Sequence, residues 1–195
     1  MQEIEFKFQV PVKKRKALQK AFTLLKAEPI HLAAQYFDTA DQTLAKHCIA
    51  IRRRQENDEW KQTFKAVDTA KVLSRLELEF DIAPPETTTL DLDNYKKDYS
   101  AIYKKLKRAL GLPLPTLELL FETNIQRLRV LQDVGSSTVE IALDIGKIFE
   151  EQNSVDIFEI EFELKQGSIE DLIAFIRPWV QKYQLTLDTH SKSDY

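Results

Sequence analysis

Hydrophobic and polar residues alternate with a period of two over most of the chain, broken by three stretches with a period of about 3.6. Ile4–Val10 alternates up to Pro11 and predicts a strand, after which Leu18, Phe22 and Leu25 share one face of a helix predicted over Val12–Ala27. His31–Asp38 reads as extended and Asp41–His47 as a short helical turn. Strands are predicted over Cys48–Gln55 and Glu59–Ala66 around the polar turn Glu56-Asn57-Asp58, and over Ser74–Ile82 ahead of Pro84-Pro85. Tyr99, Ile102, Tyr103, Leu106 and Leu110 carry a second helical stripe over Tyr95–Leu110, with Gly111 as its stop. Strands follow at Phe121–Leu131, Ser137–Asp144, Gly146–Glu151 and Val155–Lys165, with Gly135, Gly146 and Asn153 assigned to turns. A last amphipathic helix covers Ser168–Tyr183, and the polar tail from Leu187 is expected to end as an edge segment. Strands dominate and helices interrupt them only occasionally, so the class is α+β: an antiparallel barrel with helices packed outside, in one domain over residues 1–195.

Strand parity holds the chemistry, because residues two apart share a face. Glu3, Glu5 and Lys7 oppose Ile4, Phe6 and Phe8; Arg52 and Arg54 oppose Ile51 and Arg53; Lys61, Thr63 and Lys65 oppose Trp60 and Phe64. Arg75, Glu77 and Glu79 oppose Leu76, Leu78 and Phe80, Arg127 and Arg129 oppose Leu128 and Val130, Glu140 aligns with Asp144, and Glu159, Glu161 and Glu163 oppose Phe158, Ile160 and Phe162. One wet face is ordinary for an antiparallel sheet and accounts for any single strand. Two features of the set go further. Six of the nine arginines fall on predicted strands, where the planar guanidinium fork suits phosphate, while lysines crowd the helices. Glutamates two residues apart repel unless a cation lies between them, and Mg²⁺ or Mn²⁺ is the hard-ligand choice when phosphates share the coordination.

Composition narrows the rest. A formal net charge of -3 gives no bulk attraction for nucleic acid, so an anion site must be local. The single cysteine, Cys48, excludes an intrachain disulfide and is expected to be a small buried group; with the charged opening and no long apolar run, this predicts a cytoplasmic protein with no membrane segment. Four glycines and no GxGxxG or GxxxxGK[ST] pattern exclude a glycine-rich phosphate loop, so side chains must hold any phosphate. His31 and His47 are expected at the surface, Trp179 in the core, and Lys13, Lys16 and Lys20 on a solvated helix face.

The opening Glu3-Ile4-Glu5-Phe6-Lys7 is an ExExK motif, followed in order by Tyr36-Phe37-Asp38-Thr39, Ile49-Ala50-Ile51-Arg52-Arg53-Arg54, Phe64-Lys65, Arg75-Leu76-Glu77, Glu140 to Asp144, Glu159-Ile160-Glu161 and Ser191-Lys192-Ser193. This series resembles the triphosphate tunnel metalloenzymes, the CYTH family, and within it the bacterial inorganic triphosphatases. The resemblance implies an eight-stranded antiparallel tunnel that binds triphosphate with Mg²⁺ or Mn²⁺, two ions being expected, and releases pyrophosphate and orthophosphate. It implies metal ligands at Glu3, Glu5, Asp144, Glu159 and Glu161, and phosphate contacts from Lys7, Arg52, Arg54, Lys65, Arg75, Arg127, Arg129 and Lys192. Glu3, Glu5, Lys7, Lys65 and Glu161 form the implied catalytic set, with Glu77 and Glu140 orienting cations. Many bacterial relatives continue into a second, histidine-rich helical domain; residues 1–195 are read as the tunnel domain alone. The same fold also serves thiamine triphosphatases, nucleoside triphosphatases and adenylyl cyclases, and a non-catalytic polyphosphate-binding module is a further alternative.

Overall fold

The computed structural model describes residues 4–67, 75–92, 95–96 and 99–188, with Val67 and Arg75 described by backbone alone. Strand β1 (Glu5–Gln9) leads through helix α1 (Val12–Leu24) to β2 (Glu28–Asp38), the one-turn α2 (Thr43–Lys46), and the strands β3 (Ile49–Glu56), β4 (Glu59–Val67) and β5 (Arg75–Ile82). The two-residue β6 (Thr89–Leu90) and helix α3 (Ser100–Leu110) precede the long strands β7 (Leu117–Val134), β8 (Ser137–Glu150) and β9 (Asn153–Gln166). Helix α4 (Ile169–Tyr183) and the edge strand β10 (Thr186–Asp188) follow. No helix among the described residues is long and apolar enough to cross a membrane.

All pairings are antiparallel, in the order β10-β1-β9-β8-β7-β2-β3-β4-β5, with β6 joined to β7. The α+β class, with an antiparallel sheet and external helices, is therefore the observed one. Ten strands are present among the described residues where eight were expected, and β5 and β10, the two ends of the ladder, share no register pair.

One face of the sheet is apolar towards both ends, and the helices cover it there. Phe8, Val139, Ile141, Leu143, Ile160 and Phe162 pack under Leu18 and Phe22 of α1 and Leu172, Ile176 and Tyr183 of α4. Each such fully buried side chain contributes roughly 1.5–3 kcal/mol relative to exposure. Trp179 belongs to this core, edge-on to Phe22 and Phe162, and Lys13, Lys16 and Lys20 face solvent, both as expected. At the other end Ile49, Ile51 and Phe64 pack with Leu44 of α2 and Ile102 and Leu106 of α3. α4 starts where its sequence predicts: the Ser168 hydroxyl accepts the Asp171 N–H at 3.2 Å, with Glu170 and Asp171 in the first turn.

Three local expectations are corrected. Gly146 makes no turn; it lies inside the continuous β8, opposite Ile125, where a Cβ would come within 2.1 Å of the Asn124 carbonyl oxygen. Glycine is needed there for close backbone approach, not for chain reversal. Cys48 is exposed, because it takes a left-handed φ of 55° in the turn from α2 into β3 and projects away from the core. The regular part of α3 begins at Ser100, because Tyr99 ahead of it takes non-helical angles (φ −133°, ψ 59°), and the Tyr95 hydroxyl further upstream accepts from Gln62 Nε2 at 2.8 Å. Burial pushes the Tyr95 phenol up to about 12, so it stays a neutral core group.

Candidate functional site

The opposite face of the sheet collects the charged rows, and the register sets out who stands beside whom. Across β1, β9, β8 and β7, Gln9 pairs with Glu159, Glu159 with Asp144, and Asp144 with Arg127. One step along, Lys7 pairs with Glu161, Glu161 with Ala142, and Ala142 with Arg129. On the other wing Arg52 stands beside Thr63 and then Glu79, Arg54 beside Lys61, and Lys65 beside Glu77. Opposite charges on neighbouring strands are the sheet's favourable cross-strand pairs.

Three carboxylates converge. Asp144, Glu159 and Glu161 each offer an oxygen, and these oxygens lie within 4.8 Å of one another. Asp144 is 0% exposed and Glu159 3%. Arg127 forks into the group, donating from Nε and Nη2 to the two Asp144 oxygens at 2.7 and 2.8 Å and from Nη2 to Glu161 at 2.5 Å. Burial works against its charge, yet Glu161 and Asp144 outweigh that and hold its pKa well above the ordinary value. Close-set carboxylate oxygens, those of Asp144 and Glu159 buried and that of Glu161 partly so, fit a hard divalent cation, and these three are the residues that would hold it.

Next to this group lies a concentration of guanidinium. Arg54 Nη2 reaches Glu79 and Glu56, each at 3.3 Å, while its buried Nε has no hydrogen-bond partner. Burial pushes the Arg54 pKa down, and the like charges of Arg52 and Arg127 add to that; Glu79 and Glu56 offset only part. Arg52 Nε donates to Thr63 at 3.3 Å, and the Tyr36 hydroxyl oxygen accepts a further bond from Arg52. Lys65 sits 3.2 Å from Glu77, and Arg129 2.9 Å from Glu28. A buried unsatisfied donor between like charges is costly in isolation and complementary to an anion.

The structure thus brings Asp144, Glu159 and Glu161 together, with Lys7 and Arg127 against them and Arg52, Arg54 and Lys65 on the adjoining wing. Glu5 stands across from Glu163, one register row from Glu161, and outside the trio. Glu3 and Lys192 lie outside the described residues, as does the side chain of Arg75. Two contributors carry no signal in the sequence, Glu28, which holds Arg129, and Asp188, which meets Lys7; Glu79, placed on the charged face by parity but given no role, ties Arg54, Lys61 and Thr63. Burial raises the Glu79 pKa, but Arg54, Thr63, Arg52 and Lys61 prevail and leave it below the ordinary value.

The same face carries an apolar inset from β2, a strand to which the sequence reading assigns no charged side. Ile30, Leu32, Ala34 and Tyr36 of β2 are buried with Phe121, Ile125, Ile148 and Ile157, and Tyr36 stacks on Phe121 with ring centroids 4.4 Å apart. Trp60 falls on the other, helix-bearing face, by its parity against Lys61.

Glu140, in contrast to Glu79, has its carboxyl pKa raised, first by burial and also by Glu163, against the pull of Lys165, Arg129 and Arg127. A carboxyl with a raised folded pKa lends its stabilisation at low pH and loses it as pH rises through that value. Glu140→Gln is therefore expected to raise the unfolding midpoint at pH ~8 and to leave it unchanged at pH ~3, below the carboxylate range. Urea unfolding at both pH values checks this, and a gain that persists in acid would rule the charge out as its source.

An antiparallel sheet, of ten strands among the described residues, with helices on one face and interleaved carboxylates and guanidinium groups on the other defines the class, and the chain belongs to the CYTH family: the CYTH domain matches residues 1–194. An inorganic triphosphatase of Haemophilus influenzae is 34% identical over 180 residues, covering 90% of this chain and 49% of that protein. The chain thus spans about half the length of the curated relative it matches. Among solved structures, a Bacillus halodurans protein described as a candidate adenylate cyclase superposes with a TM-score of 0.66 at 20% identity, over 97% of this chain and 94% of the other. A Hippeastrum protein, described as a candidate adenylyl cyclase with a dominant triphosphatase activity, gives 0.63 at 18% identity, over 98% and 93%. At such identities these two likenesses speak for the fold alone.

Proposed function

We propose that this protein is a divalent-metal-dependent inorganic triphosphatase that cleaves triphosphate to pyrophosphate and orthophosphate. The observation that carries the reading is the carboxylate trio, two of its members buried, set beside an arginine group whose Arg54 Nε lacks a partner. The Haemophilus influenzae relative, named as an inorganic triphosphatase, supports the substrate. When bound, a divalent ion supplies positive charge for phosphate oxygens and a water of lowered pKa. Arg52, Arg54, Lys65, Arg127, Arg129 and Lys7 grip the phosphate oxygens, with Arg75 and Lys192 assigned to the same task. Glu79, Glu77 and Glu28 keep their partner cations at fixed positions, so little reorganisation remains when the anion arrives. Water displaces the pyrophosphate at the terminal phosphorus: one P–O bond forms, the anhydride P–O bond breaks, the water's proton passes to solvent, and the leaving oxygen's charge is met by the same cations. Glu3 and Glu5 are assigned to metal binding from the first strand.

An inorganic substrate is favoured over an organic triphosphate because neither Tyr36 of β2 nor Trp60 of β4 offers a free platform for a ring. Tyr36 is buried against Phe121, and Trp60 is on the other face of the sheet. The test is phosphate and pyrophosphate release from inorganic triphosphate, ATP and thiamine triphosphate, each with Mg²⁺, Mn²⁺ or EDTA. Fastest release from inorganic triphosphate, abolished by EDTA, is the expected result. Faster turnover of ATP or thiamine triphosphate would reassign the substrate, and EDTA-resistant release would overturn the metal requirement.

A further inference from the structure

Strand β10 adds a carboxylate to the polar face. Its register sets Asp188 directly across from Lys7, whose other neighbour in the ladder is Glu161 of β9. The Asp188 side chain is only 4% exposed and accepts from Gln9 Nε2 at 2.6 Å. Lys7 Nζ lies 3.7 Å from Asp188 and 3.8 Å from Glu159, almost evenly between a carboxylate of the edge strand and one of the trio. Neither distance is that of a tight ion pair, so the ammonium is shared. A lysine is a point charge on a flexible stem, and its position follows the balance of the charges around it.

We propose that Asp188 is a positioning residue: by drawing Lys7 towards β10 it keeps the ammonium from closing on Glu159, and so preserves that carboxylate for a divalent cation. This rests on the metal reading of the carboxylate trio given above. Without the Asp188 charge, the balance on Lys7 shifts towards Glu159 and Glu161, both members of the trio. Lys7 then competes with the cation for its own ligands. Asp188 acts through Lys7 and touches neither the cation nor the anion, and its rigid attachment to Gln9 fixes where Lys7 is held.

A double-mutant cycle separates this from simple loss of a nearby negative charge. Mn²⁺ binding is measured by titration calorimetry on the wild type, Asp188→Asn, Lys7→Met and the double variant, with thermal unfolding as a check on each. Asp188→Asn retains an acceptor for Gln9 and is expected to weaken Mn²⁺ binding about tenfold, the lower end of what outer-shell partners of metal ligands provide. In the Lys7→Met background the same change is expected to have no effect, and Asp188→Glu is expected to restore affinity. Equal weakening with and without Lys7 would overturn the proposal, since the effect would then be through-space charge alone. Should Asp188→Asn fail to fold, Gln9→Leu, which removes the anchor of Asp188, is expected to weaken Mn²⁺ binding in the Lys7 protein only; unchanged affinity would overturn the proposal. A wild type that binds no Mn²⁺ would instead refute the metal reading itself.

Discussion

Arg127→Met is expected to lower the unfolding free energy by about 3–5 kcal/mol in EDTA, the usual cost of removing one partner from a buried ion pair. The guanidinium is the shared partner of Asp144 and Glu161, with three contacts of 2.5–2.8 Å, and Asp144 has no exposure to water. Methionine fills much of the volume, so the loss reports charge and hydrogen bonding more than packing. Two further results identify the cause. Adding Asp144→Asn to the variant is expected to recover part of the loss, because the stranded carboxylate goes with it. Millimolar Mn²⁺ is expected to stabilise the variant more than the wild type, since a divalent cation can answer the same carboxylates. Urea unfolding of the three proteins, with and without Mn²⁺, measures all of this; a loss below about 1 kcal/mol would mean that Arg127 is effectively solvated.

The second large effect falls on activity. Glu161→Gln is expected to reduce triphosphate turnover by about a hundredfold or more, equivalent to about 2.7 kcal/mol or more of transition-state stabilisation. The amide keeps the shape of the carboxylate and can still accept from Arg127, so the fold is expected to survive, but one negative charge leaves the trio. The concentration of Mg²⁺ or Mn²⁺ for half-maximal rate should rise together with the loss in kcat. Glu163→Gln is the matched control. Glu163 pairs with Lys165 at 2.9 Å and stands outside the trio, so its change is expected to cost less than about threefold. Comparable losses at both positions would show that general negative charge on β9, and not the trio, governs the reaction.

Parity carried the sequence reading furthest. Each strand could be divided into a charged and an apolar side because the period of two is a property of local backbone geometry, and the register then proved to set Lys7 beside Glu161 and Asp144 beside Arg127. What parity alone could not provide is which strands are neighbours. The pairing of β1 with both β9 and β10 is a long-range matter, and two polar residues of a three-residue strand leave too short a pattern to expose Asp188. Gly146 was read as a turn since glycine between two alternating runs has that meaning by default; the contact with the Asn124 carbonyl that demands it comes from another strand. The apolar inset was hidden for a related reason: His31 to Asp38 shows little amphipathic contrast, and the side on which Ile30, Leu32 and Tyr36 lie is settled by pairing with β7. The lone Cys48 was misplaced because burial statistics for cysteine say nothing of a left-handed turn.

That apolar inset also changes the medium in which the arginines work. Arg54 and Arg52 stand directly across from Ala34 and Tyr36, so hydrocarbon rather than water borders the guanidinium groups on one flank. A charge beside such a low-polarisability wall keeps more of its field than one surrounded by solvent, and dissolved ions cannot occupy the volume needed to damp it. Affinity for a compact polyanion can then rest on a handful of cations in a chain whose overall charge is negative, and it will decline gently, not steeply, as ionic strength increases.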